Sequence, residues 1–206
     1  MKLYYTPGFC SLSPHIVLCE AGYDFELEKV DLKTKLTETG KDFNDISSKL
    51  AVPFLELDSG KTLTEGAAIV QFLADQKPES NLIPKAETFD RVRVQEWLNY
   101  ISSEMHKSHF PLFHPETGEA AAEVYLEKVK TAYDYVSEQL EGKKYLGGDT
   151  FSVADAYLFT VVNWHNFINL DLSPWPILVD YQARVSARPA VKKALEAEGL
   201  LQKNAA

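Results

Sequence analysis

The chain has 206 residues, of which 45% are hydrophobic and 25% are charged, and its formal net charge is −9. This composition is typical of a globular protein of one large or two small domains, and it excludes a disordered or low-complexity chain. The acidic balance argues against nucleic acid and anionic membrane surfaces as partners. Because no apolar run reaches the roughly 20 residues of a membrane span and no signal peptide is visible, we expect a cytoplasmic protein without a membrane partner.

The first 78 residues alternate between strand and helix patterns. A strand-like run after Met1 ends at Pro7-Gly8, and helical spacing follows from Ser13-Pro14 to Gly22. Next come a second strand at 25–30, a loop with a short helix at 33–44, a hairpin over 53–64 and a helix at 67–76. This order predicts a small sheet with parallel strands and helices on its faces.

Strand patterns end beyond Pro78. Polar and helix-breaking residues predict a linker at 79–88, between a first domain at 1–78 and a second at 89–206. Apolar residues of the second domain recur at helical spacing throughout. Ser152-x-x-Asp155 predicts a capping box at the start of a helix that is apolar nearly all round to Val162. Such a helix belongs at the centre of an all-helical bundle.

Cys10 lies between the first strand and the first helix, in Cys10-Ser-Leu-Ser-Pro14. The helix dipole and unpaired backbone N–H groups stabilise a thiolate at such a position, so we expect a lowered pKa. Because no cysteine follows at Cys-x-x-Cys spacing, a mixed disulfide at Cys10 would wait for an external thiol. A partly buried cysteine that acts as a small apolar side chain is an equally good interpretation.

Two further features are candidates for ligand binding. At Val52-Pro53 a cis bond would let the Val52 backbone pair with an extended peptide, although Pro53 also fits an ordinary strand start. Glu65-Gly66 begins a helix, where unpaired N–H groups favour a carboxylate ligand, although acidic residues are common at any helix start.

A third candidate is a polar stripe on the helix that follows the linker. Asn99, Ser103 and His106 are spaced four and three residues apart, which places them on one helix face, opposite the apolar stripe of Trp97, Ile101 and Met105. A solvated polar face is the simpler interpretation. A histidine there could instead donate a hydrogen bond to a thiolate.

Together these features resemble a cytosolic glutathione S-transferase over essentially the whole chain. The resemblance is closest to the bacterial beta class, which carries cysteine where other classes carry tyrosine or serine. It implies an α/β thioredoxin-like N-terminal domain and an all-α C-terminal helical bundle. The residues that match the pattern of this class are Cys10, Lys35, Val52-Pro53, Glu65, Asn99 and Ser103-Glu-Met-His106-Lys107.

The resemblance also implies a glutathione site. Cys10 would contact the glutathione sulfur, Val52 would pair with the cysteinyl unit and Lys35 would meet the glycyl carboxylate. Glu65 and Gly66 would hold the γ-glutamyl end, whose ammonium suits Glu65 and whose carboxylate suits the helix N-terminus. The class usually has serine at the position of Gly66, so we expect weaker glutathione binding here.

In the second half, the resemblance implies that Asn99, Ser103 and Glu104 reach glutathione across the interface of a homodimer. His106 and Lys107 would face the sulfur and the electrophile, which makes Cys10, His106 and Lys107 the catalytic candidates. Four aromatic side chains are candidates for the acceptor pocket: Phe110, Phe113, Tyr157 and Trp164.

The expected activity is conjugation of the glutathione thiolate to small hydrophobic electrophiles, a detoxification reaction with glutathione as co-substrate and no metal. One alternative is a glutathione-dependent redox enzyme (thiol transferase, peroxidase or reductive dehalogenase) that forms a mixed disulfide at Cys10. A second alternative is a non-catalytic ligand-binding protein.

Overall fold

The computed structural model describes residues 1–201, and its contacts divide them into two compact units. Unit 1 comprises residues 1–82 together with residues 187–201, and unit 2 comprises residues 83–186. Within the described residues, every helix is too short or too polar to cross a membrane. The predicted division at residues 1–78, 79–88 and 89–206 follows composition and differs from this grouping, which joins the last helix to the N-terminal unit.

Unit 1 contains a mixed five-stranded sheet in the order β3-β2-β1-β4-β5. Its first two strands are parallel, and the other neighbouring pairs are antiparallel. The strands are β1 (Lys2–Tyr5), β2 (Glu26–Asp31), β3 (Leu36–Thr37), β4 (Phe54–Glu56) and β5 (Thr62–Thr64). The predicted hairpin is confirmed as β4 and β5, and the segment predicted as a loop also supplies the short strand β3.

The helices of the described residues fall in both units. Those of unit 1 are α1 (Leu12–Glu20), α2 (Gly66–Gln76) and α8 (Pro189–Ala197); those of unit 2 are α3 (Phe89–Tyr100), α4 (Lys107–His109), α5 (Glu119–Leu140), α6 (Val153–Val162) and α7 (Pro176–Ser186). A π-helical turn at Ile101–His106 joins α3 to α4.

The sheet of unit 1 buries apolar side chains on both faces, because successive residues of a strand point to opposite sides. Tyr4 and Phe54 are paired across β1 and β4 and pack with Val30, Phe43 and Val52. The neighbouring pair Leu3–Leu55 is fully buried, as are the apolar residues Leu12, Ile16, Ile69 and Leu73 of α1 and α2. This packing fixes the ends of β1 and β4, from which the loops that carry Cys10 and Val52 leave the sheet.

Residues 187–201 belong to unit 1 because charged groups tie them to α1. The Arg188 guanidinium makes a bidentate pair with Glu20, at 2.6 and 2.8 Å. The buried Glu198 carboxylate lies 2.8 Å from Nδ1 of the buried His15 and accepts the Gly8 N–H at 2.8 Å. The loop that precedes Cys10 is thereby connected to the end of the described chain.

Helix α6 is the centre of unit 2, as its apolar sequence predicts, and all ten of its residues are buried. The predicted capping box is present at its N-terminus. The Ser152 N–H donates to Oδ2 of Asp155 at 2.9 Å, while Oδ1 accepts the Leu146 N–H at 2.8 Å and the Tyr181 hydroxyl at 3.1 Å. The fold class is therefore confirmed: one unit is a mixed sheet covered by helices, and the other is all helical.

Candidate functional site

Cys10 lies two residues before α1, and its Sγ donates a hydrogen bond to the Val52 carbonyl oxygen at 3.2 Å. Burial raises the pKa of this thiol to about 12, with a further increase from the Glu65 carboxylate, and the backbone N–H groups of Cys10 and Ser11 oppose the rise only in part. The predicted lowering of the Cys10 pKa is therefore wrong. Desolvation of the sulfur outweighs the helix N-terminus, so the group is a protonated hydrogen-bond donor at neutral pH.

The Val52–Pro53 peptide bond is cis, which confirms what the resemblance implies. Val52 is buried and belongs to the cluster of Tyr4, Phe43 and Phe54, which fixes its backbone next to Cys10. Pro53 lies beside the first residue of α2, since a Cβ added to Gly66 would lie 3.8 Å from Pro53 Cγ. The loop of the cis bond and the N-terminus of α2 are thus adjacent.

Glu65 precedes α2 with a positive φ of 69°, and its carbonyl accepts the N–H groups of Ala68 and Ile69 at 2.9 Å. The first N–H groups of the helix, those of Gly66 and Ala67, have no acceptor within the helix by geometry, so they can receive an anion. The Glu65 side chain is 70% exposed. The negative Glu65 side chain and the positive N-terminus of α2 are therefore adjacent.

Lys49, which the sequence pattern did not indicate, contacts the candidate residue Glu65. Its Nζ lies 2.5 Å from Oε1 of Glu65 and 3.0 Å from Oγ1 of Thr64. Lys49 is 16 residues before Glu65, in a segment without a periodic pattern, so no spacing in the sequence links the two.

Lys35 lies in the turn between β2 and β3, in a left-handed conformation with φ 62°. Its backbone N–H donates to Asp31 O at 2.8 Å, and its carbonyl accepts the Phe43 N–H at 2.7 Å. Unit 1 therefore gathers Cys10, Val52, Glu65 and Gly66. Within residues 1–201, no hydrogen bond joins the Lys35 side chain to those four.

The polar stripe of unit 2 is divided in the structure. Asn99, Ser103, Glu104 and Lys107 are exposed, and the Ser103 hydroxyl donates to Oε1 of Glu104 at 3.0 Å. His106 is only partly exposed. Its Nδ1 is 2.7 Å from the Tyr157 hydroxyl, and its ring meets Trp164 edge-on at 4.7 Å.

The predicted placement of His106 on the exposed face with Asn99 and Ser103 is therefore wrong. That prediction assumed a regular 100° per residue, whereas residues 101–106 form a π-helical turn with i→i+5 bonding. Each residue of the wider turn rotates the chain by less than 100°, and His106, its last residue, contacts the buried side chains of Tyr157 and Trp164.

The four aromatic candidates for an acceptor pocket also divide into two kinds. Phe110 and Phe113 are 55% and 37% exposed, whereas Tyr157 and Trp164 are buried. Trp164 joins them to His106, since its ring also meets Phe113 edge-on at 5.5 Å. Tyr157 and Trp164 contact the His106 ring, and the more exposed Phe110 and Phe113 are accessible to an apolar molecule.

Unit 1 has a mixed sheet with a β-α-β order, a thiol before its first helix and a cis-proline before β4. These features, followed in the chain by a helical unit, define a thioredoxin-like protein with an added all-helical unit. Family descriptions agree with both parts: "Glutathione S-transferase, N-terminal domain" matches residues 9–76, and "Glutathione S-transferase, C-terminal domain" matches residues 100–189.

Individual proteins agree as well. The chain is 43% identical to Glutathione S-transferase GstA of Escherichia coli O157:H7, over 97% of this chain and 100% of that protein. Among solved structures it is similar to the bacterial transferase BphK in a ternary complex (TM-score 0.95, 52% identity, 97% of this chain and 100% of the other). It is also similar to a bacterial beta-class transferase of Sphingomonas chungbukensis (0.94, 43%, 98% and 100%) and to a sphingomonad transferase complexed with glutathione (0.93, 44%, 98% and 100%). The chain belongs to the glutathione S-transferase family, and its resemblance to the bacterial beta class is confirmed.

Proposed function

We propose that this protein adds the thiolate of glutathione to small hydrophobic electrophiles, with the Cys10 thiol beside the glutathione sulfur. The observation that carries the proposal is the cluster in unit 1, where the Cys10 thiol, the Val52 carbonyl, the Glu65 carboxylate and the α2 N-terminus occur together. A similar sphingomonad transferase is complexed with glutathione, which supports the choice of thiol substrate.

Each part of glutathione has a chemical counterpart in this cluster. The backbone of Val52 pairs with the cysteinyl unit. The γ-glutamyl ammonium binds Glu65, and the γ-glutamyl carboxylate binds the N–H groups at the start of α2, of which the Gly66 N–H is the first. Lys35 supplies a positive charge for the glycyl carboxylate. Both ends of the tripeptide are then held, and its sulfur is directed to Cys10.

Cys10 acts in this proposal as a hydrogen-bond donor. A thiol with a pKa of about 12 keeps its proton at neutral pH. Its S–H can donate to the glutathione sulfur in place of the Val52 carbonyl. A donor at that position stabilises the thiolate relative to the thiol and so lowers the pKa of bound glutathione. We assign to His106 and Lys107 the stabilisation of the negative charge that develops on the acceptor.

The redox alternative depends on a reactive thiolate at Cys10, because the thiolate is the form that attacks a disulfide. A thiol that keeps its proton at neutral pH and is hydrogen-bonded to a carbonyl is poorly suited to that role. A relative 43% identical to this chain is named a glutathione S-transferase, which supports an enzyme over a non-catalytic binding protein. Conjugation is therefore the function that we propose.

The test is the conjugation of glutathione to 1-chloro-2,4-dinitrobenzene, followed by absorbance, in the wild type, Cys10→Ser and Cys10→Ala. The serine variant keeps a protonated donor and the alanine variant removes it. We expect turnover within about threefold of wild type for Cys10→Ser and a loss of about 10- to 100-fold in kcat/KM for Cys10→Ala, which corresponds to one hydrogen bond to a charged group. Absence of turnover in all three contradicts the proposed function, and equal losses in both variants contradict the role of Cys10 as a simple hydrogen-bond donor.

We also propose a homodimer in the cytoplasm. The exposed residues of α3 combine apolar side chains, Phe89 and Val92 at 69% and 53% exposure, with the polar Asn99, and Ser103 and Glu104 follow in the π-helical turn. Both cysteines are unpaired, which is consistent with a reducing compartment. Light scattering should give about twice the chain mass of 23.2 kDa, and the mass should fall for Phe89→Asp but not for Phe167→Asp, a control at a 52%-exposed loop residue. An active monomer would contradict the dimer.

A further inference from the structure

The ion pair of Lys49 and Glu65 places a positive charge next to the residue that we assign to the γ-glutamyl ammonium. The Lys49 Nζ is 2.5 Å from Oε1 of Glu65, and the two side chains are 53% and 70% exposed. Exposed ion pairs contribute about 0–1 kcal/mol to stability, so folding alone gives little reason for this pair. Both groups remain accessible to a ligand.

Lys49 has the hydrogen-bonding capacity to bind a ligand while it stays on Glu65. A lysine ammonium carries three N–H donors. One donates to Glu65 and one to the Thr64 hydroxyl at 3.0 Å. Within residues 1–201, the third N–H has no protein acceptor. In the same way, the second oxygen of the Glu65 carboxylate can accept a ligand ammonium.

The γ-glutamyl end of glutathione is a zwitterion, with an ammonium and a carboxylate on the same carbon. A carboxylate and an ammonium 2.5 Å apart in the protein present the opposite pattern of charge. We propose that Lys49 is a specificity-determining residue that donates to the α-carboxylate of the γ-glutamyl unit while Glu65 accepts from its ammonium. This inference rests on the proposed function, and it adds a residue to the glutathione site that the sequence did not indicate.

Gly66 gives Lys49 a particular importance in this chain. The first residue of α2 has no side-chain hydroxyl, so its backbone N–H is its only donor to the α-carboxylate. The Lys49 ammonium supplies an additional donor from the neighbouring segment. Lys49 thereby compensates for the hydroxyl that Gly66 lacks.

The test is isothermal titration calorimetry of the full chain with glutathione and two analogues, each of which lacks one charge of the zwitterion. Glutaryl-cysteinylglycine keeps the carboxylate and lacks the ammonium; 4-aminobutyryl-cysteinylglycine keeps the ammonium and lacks the carboxylate. Lys49→Met should bind glutathione and the glutaryl analogue about fivefold more weakly than wild type. It should bind the aminobutyryl analogue at least as tightly as wild type. Lys61→Met, which removes an exposed charge from the turn between β4 and β5, should match wild type with all three ligands.

The outcomes separate this inference from the proposed function. If the wild type binds glutathione and Lys49→Met binds it equally well, the role of Lys49 is wrong and the proposed function stands. Equal weakening with all three ligands would mean that Lys49 only positions Glu65, which also overturns the inference. Failure of the wild type to bind glutathione would overturn both.

Discussion

Gly66 limits how many hydrogen bonds the N-terminus of α2 can donate to a bound carboxylate. The position tolerates a side chain, because an added Cβ would meet only Pro53 Cγ, at an ordinary contact distance of 3.8 Å, and the residue is not in the left-handed region. A hydroxyl on that Cβ could donate to an anion bound by the first N–H groups of the helix. The absent hydroxyl is therefore a difference in ligand binding and not a requirement of packing.

We predict that Gly66→Ser lowers the KM for glutathione about five- to tenfold with little change in kcat, because one hydrogen bond to a charged group is added. Steady-state kinetics with varied glutathione checks this. Gly66→Ala is the matched control: it adds the same Cβ and reduces the flexibility of the unfolded chain to a similar degree, but it adds no donor. Equal gains in both variants would show that the effect comes from backbone stiffening.

At the same scale, two opposing effects act on the pKa of the Cys10 thiol, and desolvation is the larger. The position before a helix indicates a lowered pKa, and the backbone N–H groups of Cys10 and Ser11 do act in that direction. The sequence contains no information on how completely the sulfur loses its water, and this larger effect determines the outcome. Desolvation raises the pKa of the Cys10 thiol to about 12, and the protonated thiol donates to the Val52 carbonyl.

At the scale of elements, regular periodicity predicted most of the fold. The hairpin of β4 and β5 and the helix α2 follow from period-2 and period-3.6 patterns. The fully buried α6 follows from its apolar sequence and from Ser152 and Asp155, which mark its start. These elements were predictable because apolar burial and capping are local and leave a pattern in the sequence. The pattern also identified Glu65 and Gly66 at the start of α2.

The π-helical turn at 101–106 is the element that periodicity could not predict. The widened turn has no distinctive residue type, and it changes the directions of the side chains towards its end. For this reason Asn99 and Ser103 are exposed as expected, whereas His106 is held by the Tyr157 hydroxyl and the Trp164 ring. π-helical turns occur frequently at functional sites, and this one ends at a catalytic candidate.

At the scale of the whole chain, long-range pairs carry information that composition lacks. Arg188 and Glu20 are 168 residues apart, and Glu198 and His15 are 183 residues apart, yet both pairs belong to unit 1. A boundary drawn from linker composition cannot show that the last helix returns to the first. The pair of Lys49 and Glu65, 16 residues apart, is likewise not indicated by the sequence pattern.

His109 makes the stability of the whole protein depend on pH. Its side chain is fully buried, with Nδ1 at 2.8 Å from the Met105 carbonyl and Nε2 at 3.0 Å from the Tyr133 hydroxyl. Burial lowers its pKa from 6.5 to about 4, and nearby His165 contributes in the same direction. Between these two pH values the unfolded chain binds a proton that the folded chain excludes. Stability from this group is therefore complete above about pH 6.5 and is lost as the pH falls towards 4.

The expected contribution is a fall of about 2 kcal/mol in the free energy of unfolding between pH 8 and pH 5. Urea unfolding at the two pH values and at one fixed protein concentration measures it. His109→Gln removes the titrating group, so that variant should be less stable at both pH values but should lose about 2 kcal/mol less on acidification. His114→Gln, at a histidine that is paired with Glu116 and has a 41%-exposed side chain, should keep the full dependence. A full dependence in His109→Gln would mean that acid acts through another buried group.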